Sequence, residues 1–202
     1  MSDMNDPEVL QPITRTCQII VGAMITGVVL FLAIVLFVVP SGMMPAPVPA
    51  GGGAGGAALP AAAGPGMPLI TSIAAAMGLA GLVMSFVVPG IFVTNSRRQI
   101  AKGTWTPPAT RDPSQPARIY PAGDTGKLAA VYQTQLIIGS ALCEGMAFFA
   151  TIAYMLERNP IALVTAVVLL GGLFARFPTS DRVNAWINQQ QSILQAERQA
   201  DL

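Results

Sequence analysis

The sequence contains no histidine and only two cysteines, Cys17 and Cys143. Histidine is the side chain whose ordinary pKa lies nearest neutral pH, and it is the commonest metal ligand. Its absence removes imidazole acid–base chemistry and the usual zinc and haem sites. Two cysteines in separate apolar stretches make no disulfide framework. Charge is also scarce. Asp, Glu, Lys and Arg together make up 10% of the chain, against about 25% in a typical soluble domain. Lys plus Arg is 11 and Asp plus Glu is 10, a net charge of +1. With no basic-aromatic patch, that balance argues against nucleic acid as a partner. No phosphate-binding glycine loop, nucleophile elbow or dinucleotide fingerprint is present, so no cofactor is implied. Asp112, Arg118 and Asp124 stand in the longest charged loop without a recognised catalytic spacing. An enzyme is therefore not expected.

What the sequence does have is apolar surface. Hydrophobic residues are 52% of 202, and the mean hydropathy is +0.57. So little charge cannot clothe a globular surface, and the chain reads as an all-α integral membrane protein whose partner is the lipid bilayer. Four apolar spans run over 19–39, 69–93, 135–155 and 161–177. A helix rises 1.5 Å per residue, so even the shortest is about 25 Å long, close to the about 30 Å of a hydrocarbon core. The first run is too long for a signal core, and Asp3, Asp6 and Glu8 outnumber Arg15 on its flank. It reads as a span rather than a cleaved signal peptide. Pro89-Gly90 predicts a kink or early end in the second span, because proline lacks the N–H that continues the ladder. Pro160 suits the first turn of the fourth.

Orientation follows from Lys and Arg, which concentrate in cytoplasmic loops. The loop after the first span has none. The loop after the second carries Arg97, Arg98, Lys102, Arg111, Arg118 and Lys127. Both termini and this central loop are thereby expected in the cytoplasm, of a bacterial inner membrane for preference.

The intervening segments have distinct characters. Residues 1–18 read as a cytoplasmic arm preceding the first hairpin, 19–93. Within that hairpin, residues 41–68 are built of Gly, Pro and Ala without charge, and read as a disordered outward loop. Residues 94–134 form a proline-rich basic loop, expected to be an unstructured connector, whose end from Thr125 could begin the next helix. Trp105, Tyr120 and Tyr132 are candidate interface anchors. The second hairpin, 135–177, has a very short turn, and Arg176 is expected to snorkel outward to the interface. In 178–202, Val183, Trp186, Ile187, Gln190 and Leu194 recur at helical spacing. That pattern predicts a cytoplasmic amphipathic helix lying along the membrane.

The two hairpins resemble one another. Gln18-x-Ile20-x-Gly22 matches Gln135-x-Ile137-x-Gly139, and Gly90-Ile91-Phe92 matches Gly172-Leu173-Phe174. Two tandem repeats related by an axis along the membrane normal are suggested. Gln18 and Gln135 are then either interfacial end residues or interhelical polar contacts. Thr26, Ser140 and Thr151 are further candidates for such contacts.

Glu144 is the one ionisable residue deep within a span. A bare carboxylate is costly there, so it should be protonated, paired or wet. It shares a helix face with Ile137, Ser140, Ala141, Ala147, Phe148 and Thr151, mostly small or polar, opposite an apolar face with Ile138, Leu142, Phe149, Ile152 and Leu156. The first face suggests packing within the bundle or between subunits. With no basic residue at that depth, the expected partners are the Ser140 carbonyl, Thr26 or Ser85. The run Ile138-Gly139-Ser140-Ala141-Leu142-Cys143-Glu144-Gly145-Met146-Ala147 resembles the ion-carrying helix of the proteolipid c subunit of rotary ATP synthases. That resemblance implies a carboxylate at Glu144 that binds a transported proton or Na⁺. It is confined to residues 135–155, and the chain differs from that family in its long loops and further spans.

Two functions follow. One is a structural or accessory membrane protein, packed as a homo-oligomer or against a membrane-protein partner. The alternative is a proton- or Na⁺-coupled transport element using Glu144 as its intramembrane ion site.

Overall fold

The computed structural model describes residues 7–37, 69–106 and 123–200, and every regular element among them is helical. Helix α1 is Pro7–Phe37, α2 Leu69–Ala101, α3 Asp124–Glu157, α4 Pro160–Ala175 and α5 Ser180–Ala200. The glycine-rich segment read as disordered and the stretch 107–122, with Tyr120, lie outside the described residues.

Length organises the bundle. The 33 residues of α2 and 34 of α3 make rods about 50 Å long at 1.5 Å per residue. That exceeds a hydrocarbon core of about 30 Å by several turns. Three helices, α1 from Leu10, α2 and α3, are long and apolar enough to cross a membrane. A fourth crossing arises if α4 and α5, bent by 71° at their junction, count as one broken span. Large exposed apolar side chains run from Ile19 to Phe37, from Leu69 to Ile91 and from Ile152 to Phe177, and none is found on α5. A band of that extent is what lipid contact requires.

Helix α3 is the central rod. It packs against α1, α2, α4 and α5, whereas α1 and α2 hardly touch. The two hairpins expected as repeats are therefore not packed equivalently. Small residues allow the close approaches. A Cβ on Gly78 would lie 2.6 Å from Thr165 of α4, and one on Gly81 would collide with Met146 of α3.

The surplus helix ends assemble a cap at one end of the bundle. The start of α1, the end of α2, the start of α3 and all of α5 meet there. Leu10, Ile13 and Cys17 share one cluster with Ala129, Tyr132, Val183 and Ile187. Val93, Ile100, Leu128, Val131 and Leu194 form a second. Residues 94–101, expected as unstructured connector, are thus a helical stem; 124–134 is a second, in line with a third helix beginning near Thr125, and the arm before residue 19 is helical from Pro7. They fold because α5 covers their apolar sides. Its stripe Val183, Ile187, Gln190 and Leu194 is buried on protein, where a membrane-lying helix would keep it for lipid. Trp105 packs on the second cluster and Tyr132 stacks with Trp186 at 5.1 Å, so neither serves as a free lipid anchor. Ionic pairs lace the rim: Arg97 to Glu197 at 2.8 Å and Arg198 to Asp124 at 2.7 Å. Gln191 donates to the Thr125 hydroxyl at 2.7 Å.

The opposite end is tied by Glu157. Its carboxylate accepts from the Ile70 N–H at 2.9 Å and the Thr71 N–H at 2.7 Å. These donors open α2 and have no carbonyl in their own helix, and an anion there also complements the helix dipole. The α3–α4 turn is tight: Arg158 adopts φ 53° and the Asn159 side chain accepts from the Ile161 N–H at 2.9 Å. Pro160 occupies the first turn of α4.

Two outcomes follow. Ile187→Ala, at a fully buried position in the cap, is expected to lose about 2–4 kcal/mol of stability and to open α5 to limited proteolysis in detergent. Glu157→Ala is expected to lower the thermal midpoint, and Glu157→Gln, which keeps one acceptor oxygen, to lower it less.

Candidate functional site

Two polar features lie inside the apolar part of the bundle: Glu144, and a cleft around Arg176.

Glu144 faces α1. A Cβ placed on Gly27 would stand 3.8 Å from its Oε1 and 3.7 Å from the Phe148 ring, which itself packs on Phe31 at 5.4 Å. Both are ordinary van der Waals distances, so Gly27 marks where the carboxylate meets α1 without being required there. The side chain is half-buried. None of the expected partners reaches it. Thr26 is exposed and donates to the Gly22 carbonyl at 2.8 Å. Ser85 donates to the Leu82 carbonyl at 2.7 Å. Ser140 is buried with its hydroxyl unpartnered among the described residues. Thr151 is buried and bonds back to Ala147 at 2.8 Å. Of the face expected to pack, Ser140, Ala147 and Thr151 are buried, while Ala141 is exposed. No group of three or more His, Cys, Asp or Glu side chains gathers among the described residues.

Gln18 bonds away from its own helix, to the α4–α5 link rather than to Gln135. Its Nε2 donates to the Pro178 carbonyl at 3.0 Å, joining α1 to the α4–α5 link. Gln135, its match in the second hairpin, lines the cleft around Arg176 instead.

Arg176 departs from expectation most. Its guanidinium turns into the bundle rather than snorkelling outward. Its Nη2 donates to the Ser85 carbonyl at 2.5 Å and to the Ser85 hydroxyl at 3.0 Å. The reason lies four residues further along α2. Pro89 has no N–H, so the carbonyl of Ser85 loses its helical donor. Arg176 supplies the missing one from a neighbouring helix. With that donor in place α2 continues past Pro89 to Ala101, so of the kink or early end expected at Pro89-Gly90 the early end does not occur. The guanidinium also stacks over Phe86, 4.4 Å from the ring centroid, a cation–π contact. Gly139 makes the approach possible. A Cβ there would collide with the guanidinium and lie 3.1 Å from the Ser85 carbonyl oxygen.

Next to this junction opens a cleft of about 330 Å³ among α2, α3, α4 and α5. Arg176, Arg182, Gln135, Tyr132 and Trp186 line it, with Ser85 and Pro89 at its α2 wall. Arg182 donates to the Ala175 carbonyl at 2.6 Å. No carboxylate lines the cleft, and the described ion pairs include neither arginine.

No protein-family signature, curated protein or solved structure matches the chain.

The Ser85–Pro89 spacing of four was a readable signal for an orphaned carbonyl. Nothing in the sequence told which donor would fill it, because Arg176 is 91 residues away along the chain. Gly139→Ala is expected to cost about 1–3 kcal/mol, as overpacking does, read as a lower thermal midpoint in detergent. Gly145→Ala, on the same helix but facing open space, is expected to stay within about 0.5 kcal/mol.

Proposed function

We propose that this chain is a four-span membrane protein with a structural or accessory role, both termini and the helical cap facing the cytoplasm. On this reading α4 is the fourth crossing and α5 turns away at the interface. Arg97, Arg98, Lys102 and Lys127 sit on the cap side, which agrees with the positive-inside bias. The structural role is carried by one observation. Charged and amide side chains tie one element of the bundle to another: Glu157 to α2, Arg97 and Arg198 within the cap, Gln18 to the α4–α5 link, Arg176 to Ser85. Such a bundle is a platform for a second copy or another membrane protein.

The alternative, a proton- or Na⁺-coupled element that resembles the proteolipid c subunit in its third span, rests on Glu144. Its half-buried carboxylate beside Gly27 has no hydrogen-bond partner among the described residues. A cation would need further oxygens around it, so a second copy would have to bring them. That requirement makes it the second reading.

Purified protein in liposomes separates the two. The structural role expects no proton or Na⁺ flux, and Glu144→Gln with an unchanged thermal midpoint and oligomeric state. Flux that disappears in a folded Glu144→Gln variant would establish the transport reading. Topology is checked by thiol labelling, since Cys17 and Cys143 are buried. Ala50→Cys is expected to react from outside intact cells and Thr104→Cys only after permeabilisation; the reverse would invert the bundle.

A further inference from the structure

We propose that the cleft between Arg176 and Arg182 binds a phosphate group, presented by the headgroup of an anionic membrane lipid. Three observations carry this. The first is charge. Two guanidiniums share an opening of about 330 Å³ with Gln135 and no carboxylate in its wall. Each arginine gives one terminal nitrogen to a carbonyl, Ser85 for Arg176 and Ala175 for Arg182. Carbonyl contacts leave both positive charges uncompensated, and neither arginine takes part in a described ion pair. Guanidinium donors match phosphate oxygens in number and direction, and such charge-assisted bonds are the stronger kind.

The second observation is depth. The cleft is walled by Ser85, Phe86, Pro89 and Gly90 of α2 and by Ala175 and Arg176 at the end of α4. The band of large exposed apolar side chains ends at Ile91 on α2 and at Phe177 beyond α4. The cleft therefore sits at the inner rim of the band, where acyl chains give way to headgroups. Phe86, 65% exposed, and Phe174, 55% exposed, stand on these same helices as apolar surface for a lipid tail. The third is the aromatic wall. Trp186 and Tyr132 pack ring against ring at a tilt of 59° and line the opening, giving it an apolar wall with polar ring atoms at its edge.

A phosphate there would bridge α4 and α5 across their 71° bend, fixing the cap to the membrane surface. The inference rests on the membrane placement of the bundle and is independent of any role for Glu144.

The reporter is Trp186 fluorescence in a Trp105→Phe background, which leaves one tryptophan. The protein in neutral detergent is titrated with phosphatidylglycerol, phosphatidylcholine and inorganic phosphate, and native mass spectrometry counts bound lipid. Saturable binding of phosphatidylglycerol, with phosphatidylcholine weaker, is expected. Arg182→Gln, an exposed position outside the Ser85 junction, is expected to weaken it about tenfold, as loss of a charge-assisted bond does. Arg176→Lys, which keeps a donor for Ser85, tests the second guanidinium without orphaning the carbonyl. Saturation by inorganic phosphate alone would keep the phosphate site and assign it to a soluble ligand. Equal binding of both lipids, no saturable signal, or binding indifferent to Arg182→Gln and Arg176→Lys would overturn the proposal. Failure of the membrane placement would be visible beforehand, as protein that stays dispersed without detergent.

Discussion

The arrangement of the cap-side half of the bundle depends on a single backbone carbonyl, that of Ser85. Pro89 removes the donor that the Ser85 oxygen would have had. In a low-dielectric surrounding an orphaned backbone group costs several kcal/mol by order of magnitude. Arg176 reaches in from the end of α4 to supply the donor. Doing so fixes how deep α4 sits against α2, requires glycine at 139 in the helix between them, and places a positive charge at the edge of the apolar band. Alternative satisfaction by water would leave α2 free to kink. With a donor from a neighbouring helix, α2 continues past Pro89 into the cap.

The cap is the second consequence of length. Helices of 33 and 34 residues cannot bury their polar ends in lipid, so they emerge as stems. Stems alone would expose Ile100, Leu128 and Val131. Helix α5 folds back over them with a stripe spaced four, three and four residues apart, Val183, Ile187, Gln190 and Leu194. Its ion pairs to Arg97 and Asp124 sit at the rim, partly exposed, where such pairs add orientation more than stability. The apolar contacts beneath them hold the cap closed.

The chain thus has two parts of different character. Within the apolar band, helices approach through glycine and alanine, as at Gly78, Gly81 and the Ala74, Ala153 and Ala162 cluster. In the cap, larger side chains interlock as they do in a soluble core. The functional readings divide along the same line: Glu144 belongs to the band, the arginine cleft to its boundary with the cap.

Sequence by itself determined the class and the apolar segments. Low charge and long apolar runs leave no other solvent than lipid, and that follows from composition and order alone. It located Glu144, and it left Gln18 open between an interfacial end residue and a contact across the bundle. It also held the positions of Pro89, Ser85 and Arg176, but not their junction, because a carbonyl freed at one place can be satisfied by any donor that packing brings near. The stem of α2 was unreadable, and that of α3 readable only as a possible helix start at Thr125, for a related reason. Between 94 and 134 the prolines cluster from Pro107 to Pro121, and the flanking turns carry no span-length apolar signal. Only α5, from the far end of the chain, makes them worth folding. Tertiary structure decided those points, since desolvation of a backbone group and burial of a helix face depend on what arrives from elsewhere.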